Sequence, residues 1–217
     1  MVMRWLTRQW LHGALTEAET DARLDQCRSH HEALLPRLPP GLRLLLGEQD
    51  ELGYITLHDG AVEWWASDGS RSLTLELVCG NEQVHYRRVL IQYRGRVELV
   101  GADEHDLRRW LNDLHTEFLY DEVDVLSDGR FEHRHLLSND EEFGVRFEDI
   151  VVVSAPLSVS ALREYWRRRR FEFSSAYVRL VWAHAAGREL AWDIRRHLSN
   201  LAFAVDQLRH RGDDDDH

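Results

Sequence analysis

Hydrophobic and polar residues alternate with a period of two through the middle of the chain, and this alternation predicts a β-sheet. In Ser72–Cys79, for example, Leu73, Leu75 and Leu77 share one face, and Thr and Glu residues lie on the other. An antiparallel sheet with one face in the core has this pattern. Turn-forming residues such as Asp-Gly separate the segments. The predicted strands are Tyr54–Leu57, Ala61–Ala66, Ser72–Cys79, Val84–Tyr93, Arg96–Val100, Phe118–Leu126, Arg130–Leu137 and Glu142–Val153.

Apolar residues recur every three or four positions before and within this region, and that spacing predicts helices. Residues 17–35 follow a capping box formed by Thr16 and Glu19. A second helix is predicted from Asp103, as its N-cap, through Leu114.

The segment after Val153 is also predicted to be helical. A short helix spans Val159–Arg170, and a longer one follows with an apolar stripe that is too hydrophobic to face water. The stripe consists of Leu190, Ile194, Leu201, Val205 and Leu208. We therefore expect the C-terminal helices to pack on the sheet.

These elements predict an α+β protein, a mostly antiparallel sheet of seven or eight strands covered by N- and C-terminal helices. The predicted parts are an N-terminal helical segment (1–50), a sheet region with one inserted helix (51–153), arginine-rich helices (154–212) and a disordered acidic tail (213–217).

Composition narrows the possible chemistry. The chain has 217 residues and two cysteines, Cys27 and Cys79, too few for a disulfide framework or a cysteine-based zinc site. All 27 basic residues are arginine, which excludes Schiff-base lysine and P-loop chemistry. No signal peptide or membrane span is predicted from the apolar runs, so we expect a cytoplasmic protein with no membrane partner.

Charge is divided unevenly along the chain. The acidic region has 16 Arg against 29 Asp and Glu in residues 1–153, and the basic region has 11 Arg against 5 acids in residues 154–212. The four aspartates at 213–216 complete the net charge of −11. The basic segment either packs on the acidic one or binds an external partner. Candidate nucleic-acid or anion contacts are Arg167, Arg168, Arg169 and Arg170, and the alternative is a solvated helix end.

His133 and His135 form the sharpest candidate site. A two-residue type I′ turn at Asp128-Gly129 would place Asp124 opposite His133 and Glu122 opposite His135. Two carboxylates and two imidazoles on one face are plausible zinc or iron ligands. The alternative is a solvent-facing ladder of cross-strand pairs. The same register places Arg146 beside His133, where it would repel a cation, so no metal or cofactor is predicted.

Two dipeptides are further candidates. Trp64 and Trp65 point to opposite faces of a strand, so one is expected in the core and the other at an interface. His58-Asp59 is similar to the metal-binding pair of phosphohydrolases, but the following glycine favours a turn. The sequence contains no nucleophile elbow, dinucleotide fingerprint or zinc-protease motif, and no catalytic residue is predicted.

Three segments resemble a group of uncharacterised bacterial proteins that begin with a Tyr-Leu/Phe-Thr-Lys-Glu-Trp-Tyr run. They are residues 4–10 (RWLTRQW), residues 57–62 (LHDGAV) and the hairpin residues 119–123 (LYDEV) with 131–134 (FEHR). Similar sheet motifs occur in small immunity-like proteins of bacterial toxin systems. The resemblance covers residues 1–153, implies a bacterial cytosolic protein and assigns no catalytic residue.

Together these observations favour a non-catalytic cytosolic binding protein, immunity-like, whose acidic surface recognises a protein partner. Two alternatives remain open at this point. One is a metal-dependent hydrolase that uses His133 and His135, and the other is a nucleic-acid-binding protein that acts through the C-terminal arginines.

Overall fold

The computed structural model describes residues 3–80, 86–113 and 116–158, with six further positions between 161 and 168. The chain divides into two compact units, Met1–Pro156 and Leu157–His217. The first unit is an α+β fold, as predicted, built on an eight-stranded antiparallel sheet and a separate two-stranded one.

The eight-stranded sheet has the order β10-β5-β4-β3-β7-β8-β9-β6, and its neighbouring strands are antiparallel. Strands β1 and β2 pair with each other in the small sheet. The strands are β1 (Gln49–Asp50), β2 (Gly53–Tyr54), β3 (Gly60–Ser67), β4 (Ser72–Cys79), β5 (Arg87–Arg94), β6 (Glu98–Val100), β7 (Glu117–Val125), β8 (Phe131–Leu137), β9 (Glu142–Phe147) and β10 (Asp149–Pro156).

The main core lies on the inner face of this sheet. Leu73, Leu75 and Leu77 are buried there, as their alternation predicted. The sheet curls so strongly that Tyr93 on β5 meets His133 on β8, although three strands separate them in the sheet order. Residues from distant strands thereby form one hydrophobic cluster.

Within the described residues of the first unit, four α-helices flank the sheet: α1 (Arg8–Leu11), α2 (Glu17–Leu34), α3 (Pro40–Leu45) and α4 (Glu104–Leu111). The capping box of Thr16 and Glu19 is present at the start of α2. Asp103 caps α4, where Asp106 completes a second capping box. These two predicted helix starts are confirmed.

A smaller core covers the outer face of β7 and β8. Met3, Trp5 and Leu6 from the N-terminal segment pack there against Leu136 of β8 and Cys27 of α2. The N-terminal residues therefore cover one half of the sheet from outside.

Two predicted strands differ from the structure. The segment Glu142–Val153 is not one strand, because β9 ends at Phe147 and β10 starts at Asp149 in a different part of the sheet. At this corner the amide of Glu148 donates to the carbonyl of Arg94 (3.0 Å). Of Tyr54–Leu57, only Tyr54 is in a strand, although Ile55 and Leu57 are buried and so account for the alternation.

The second unit is described at few positions. Residues 161, 162, 164, 165, 167 and 168 are helical, and the amide of Leu162 donates to the carbonyl of Ser158 (2.8 Å). The predicted apolar stripe from Leu190 to Leu208 and the acidic tail lie outside the described residues.

Candidate functional site

The hairpin between β7 and β8 closes with a three-residue loop. The amide of Leu126 donates to the carbonyl of Arg130 (2.8 Å), and the amide of Gly129 donates to the carbonyl of Leu126 (3.0 Å). Gly129 has a φ of 84°, the left-handed conformation that a three-residue hairpin loop requires at its last position. The prediction of a two-residue turn at Asp128-Gly129 is wrong.

The extra loop residue shifts the strand register by one position. His133 lies opposite Val123 and not Asp124, and His135 lies opposite Asp121 and not Glu122. Because side chains alternate between faces, a shift of one residue moves a whole set to the other face.

Both histidines therefore face the core and are fully buried. Neither the predicted ligand face with Glu122 and Asp124 nor a solvent-facing ladder is formed by them. Arg146, which was expected beside His133, lies opposite Glu132 on the outer face.

The buried histidines share one tyrosine hydroxyl. The Tyr93 hydroxyl lies 2.9 Å from His133 Nδ1 and 3.2 Å from His135 Nε2. On its other side, His133 Nε2 lies 2.9 Å from Asp121 Oδ2. The two imidazole rings are 4.1 Å apart, and Phe118 packs against the ring of His135 at 4.9 Å. We call Asp121, His133, Tyr93 and His135 the core relay.

The hydrogen bonds of the core relay assign its protons. The Asp121 carboxylate can only accept, so His133 Nε2 donates to it and His133 Nδ1 accepts from the Tyr93 hydroxyl. The Tyr93 oxygen then accepts from His135 Nε2. This leaves His135 Nδ1 as a bare lone pair, and among the described residues it has no hydrogen-bond partner.

Burial controls the acid–base behaviour of this site. It raises the pKa of Tyr93 well above its usual value, with a smaller contribution from the Asp121 charge, so the phenol stays protonated near neutral pH. Burial, together with the neighbouring His133, lowers the pKa of His135 well below its usual value. Burial also raises the pKa of the Cys27 and Cys79 thiols to about 12, so neither is an activated nucleophile.

A second polar network lies on the outer face of the same strands. The fully buried Glu122 carboxylate accepts the backbone amides of Arg4 (2.7 Å), Trp5 (2.7 Å) and Leu6 (2.8 Å). Arg134 binds the same carboxylate at 3.2 Å. Glu122 thus holds the N-terminal segment on the sheet and has no free oxygen for a metal.

Arg134 extends this network along the strands. Its guanidinium contacts Asp124 (2.9 Å) and Glu132 (2.6 Å), and Arg146 binds the other oxygen of Glu132 (2.6 Å). The predicted ladder of charges on these strands therefore exists, but arginine and not histidine provides its cations.

Within the described residues, no group of three or more His, Cys, Asp or Glu side chains is arranged to hold a metal ion. We expect the purified protein to carry less than about 0.1 zinc, iron or manganese per chain, because a real site retains its metal through purification. Elemental analysis of protein expressed without an affinity tag tests this. About one metal per chain, lost in the His133→Ala/His135→Ala variant, would contradict the expectation.

The tryptophan pair divides between the two faces, as predicted. Trp65 packs against the main core and its indole N–H donates to Asn112 (3.0 Å). Trp64 points outward and is 52% exposed.

An outward row of side chains crosses the sheet from Trp64. Trp64 lies opposite Glu76 on β4, Glu76 opposite Leu90 on β5, and Leu90 opposite Val153 on β10. Val153 is 53% exposed. We call these four residues the outer row.

Two other candidate sites from the sequence are His58-Asp59 and the arginines at 167–170. His58-Asp59 forms a turn with Asp59 at a φ of 61°, so its turn assignment is confirmed. Arg167 and Arg168 are exposed on the second unit, and Arg167 pairs with Glu164 (2.6 Å). Arg169 and Arg170 lie outside the described residues.

Comparisons with known proteins do not assign the chain to a family or a fold. A scan against protein-family models, a search of curated proteins and a search of solved structures each found no match to the chain. Among the described residues, none of the helices is both long and apolar enough to cross a membrane.

Proposed function

We propose that this chain is a non-catalytic binding protein, and that the outer row on β3, β4, β5 and β10 contacts a basic protein partner. The observation that carries the proposal is that both ends of the outer row, the Trp64 ring and Val153, are half exposed. Cross-strand neighbours on one face lie about 4.5–5.5 Å apart between Cβ atoms, so the outer row is continuous. Tryptophan in such a setting is the residue type most enriched among binding hot spots.

The outer face of β7 and β8 supports the choice of the outer row, because the two surfaces differ in how they are covered. There the N-terminal segment covers Leu136, which is fully buried. Around the outer row, the described residues leave Trp64 and Val153 half exposed, and this exposure supports a partner site there.

Charge favours a basic partner. Residues 1–156 hold 16 arginines against 29 acidic residues, a net charge of −13. Within the outer row Glu76 is balanced by Arg88 (2.9 Å), so the contact centre is nearly neutral and the surrounding field is negative. A neutral apolar contact area within a negatively charged surface favours association that is steered electrostatically toward a basic partner.

The core relay gives the hydrolase alternative no support, because its imidazoles are fully buried and already hydrogen-bonded. The buried free cysteines support a reducing, cytoplasmic location. The resemblance to immunity-like proteins would make the partner a bacterial toxin domain.

The proposal is tested by placing a photo-crosslinking residue at position 90 in the outer row of the full-length chain, so that Trp64 is kept, in its native host. The adduct is identified, and the captured protein is purified and titrated with wild-type chain, Trp64→Ala and Tyr54→Ala. Tyr54 is a matched control, since it is also 52% exposed but lies on β2. We expect Trp64→Ala to weaken binding about 30-fold or more, the effect of a hot spot of at least 2 kcal/mol, and Tyr54→Ala to change it less than about threefold.

Several results would overturn this assignment. They are equal affinity of all three chains, an adduct with nucleic acid, an adduct with a second copy of the chain, and an adduct with residues 157–217 of the same chain.

A further inference from the structure

We propose that the core relay makes the fold of residues 3–156 sensitive to mild acid, so that a proton added at His135 opens the core. This inference concerns conformational stability and is independent of the proposed binding surface. It depends on how many hydrogen-bond acceptors the core relay provides for added protons.

The first step concerns His133. If this ring becomes an imidazolium, both nitrogens still have acceptors, because Nε2 faces Asp121 and Nδ1 can donate to the Tyr93 oxygen. The Tyr93 hydroxyl can then turn its proton toward His135 Nε2 only if His135 moves its own proton from Nε2 to Nδ1, which has no partner among the described residues. Even a proton added at His133 therefore leaves an unpaired N–H on His135.

The second step concerns a proton added at His135 itself. A proton on its Nδ1 would point into the core, where that nitrogen has no partner among the described residues. The ring packs between Phe118 (4.9 Å) and Phe143 (4.8 Å). A buried unpaired cation of this kind is among the most costly states in a protein interior.

The surrounding charges do not remove this cost. Asp121 on β7 bonds to His133, and the Tyr93 phenol on β5 is neutral because burial raises its pKa. His31 on α2 provides no negative charge: its Nε2 accepts the Val123 amide (3.2 Å), and burial lowers its pKa. The thiols of Cys27 and Cys79 stay protonated because burial raises their pKa to about 12.

The direction of the pH effect follows from linkage. In the unfolded chain a histidine takes up a proton below about pH 6.5. In the folded chain the pKa of His135 is lowered, mainly by burial and then by His133. Stability is therefore fully present above about pH 6.5 and falls as the pH drops. The unfolding equilibrium constant rises by up to about tenfold per pH unit for each such histidine.

The test compares urea unfolding of wild-type chain, His135→Leu and His105→Leu between pH 7.5 and 5.0. Carboxylates contribute little in this window because they titrate mainly below about pH 5. His105 is an exposed histidine on α4 and serves as the matched control. From pH 7.5 to 5.0 we expect the unfolding constant of His135→Leu to rise up to about 30-fold less than that of the wild type. His105→Leu should keep the wild-type dependence, and an unchanged dependence in His135→Leu would overturn the proposal.

A second measurement does not depend on any variant. Nitrogen-15 NMR of histidine side chains in the wild-type chain should show His135 with a proton on Nε2 and a bare Nδ1 at pH 7.5. On acidification the folded signal should lose intensity without shifting. A folded His135 signal that titrates in place near pH 6.5 would show instead that the core accepts this proton.

Discussion

Replacing Glu122 with alanine is expected to lower the free energy of unfolding by roughly 3–5 kcal/mol, the usual cost of removing one partner of a buried ion pair. The carboxylate accepts three successive backbone amides, those of Arg4, Trp5 and Leu6, and also binds Arg134. Without it, the amides of Trp5 and Leu6 remain buried with no acceptor, and each costs about 1–3 kcal/mol. The N-terminal segment should then detach from β7 and β8.

Two measurements check this expectation. Urea unfolding gives the stability loss, and hydrogen exchange should show lost protection at the amides of residues 4–6. Glu98→Ala is the matched control, because Glu98 bonds to Arg130 and Arg146 but is half exposed, and such pairs contribute about 0–1 kcal/mol. If Glu122→Ala lost no more stability than Glu98→Ala, the carboxylate would not be what holds the N-terminal segment.

Local patterns in the sequence were sufficient for most of the elements. Strict alternation located β4 at Ser72–Cys79 without error, and the capping box of Thr16 and Glu19 and the N-cap Asp103 marked the starts of α2 and α4. These features depend on neighbours within a few residues, which is why they can be recognised in one sequence.

The strand register depended on a finer detail. The residues Ser127-Asp128-Gly129 are compatible with either a two- or a three-residue loop, and the sequence alone does not decide between them. One residue of difference moved His133 and His135 from the predicted outer face into the core. A clue was present, because a core register places His133 opposite Val123 and Val145, and His135 opposite Phe143, in the neighbouring strands.

Long-range partners could not be predicted in this way. Tyr93 lies 40 residues before His133 in the chain, and it reaches the histidines only because the sheet curls. Asp121 was not singled out, because the predicted register paired the histidines with the carboxylates at 122 and 124. The contact between Glu122 and the N-terminal amides spans more than 115 residues, and no local signal marks it.

Removing the Tyr93 hydroxyl is expected to produce the second large effect. In Tyr93→Phe the ring can still pack against Phe147, but His133 Nδ1 and His135 Nε2 both lose their partner in a dry core. Leaving a buried polar group unpaired costs about 1–3 kcal/mol, so we expect a loss of roughly 2–4 kcal/mol. The exposed Tyr54 provides the control, and Tyr54→Phe should change stability by less than about 0.5 kcal/mol.

A double-mutant cycle shows whether this cost passes through the histidine pair. Once His135 is replaced by leucine, removing the Tyr93 hydroxyl leaves one imidazole nitrogen without a hydrogen-bond partner instead of two. Tyr93→Phe should therefore cost about 1–2 kcal/mol less in the His135→Leu background than in the wild type, a coupling typical of contacting residues. Equal costs in the two backgrounds would mean that Tyr93 and His135 act independently, and that the hydroxyl serves His133 alone.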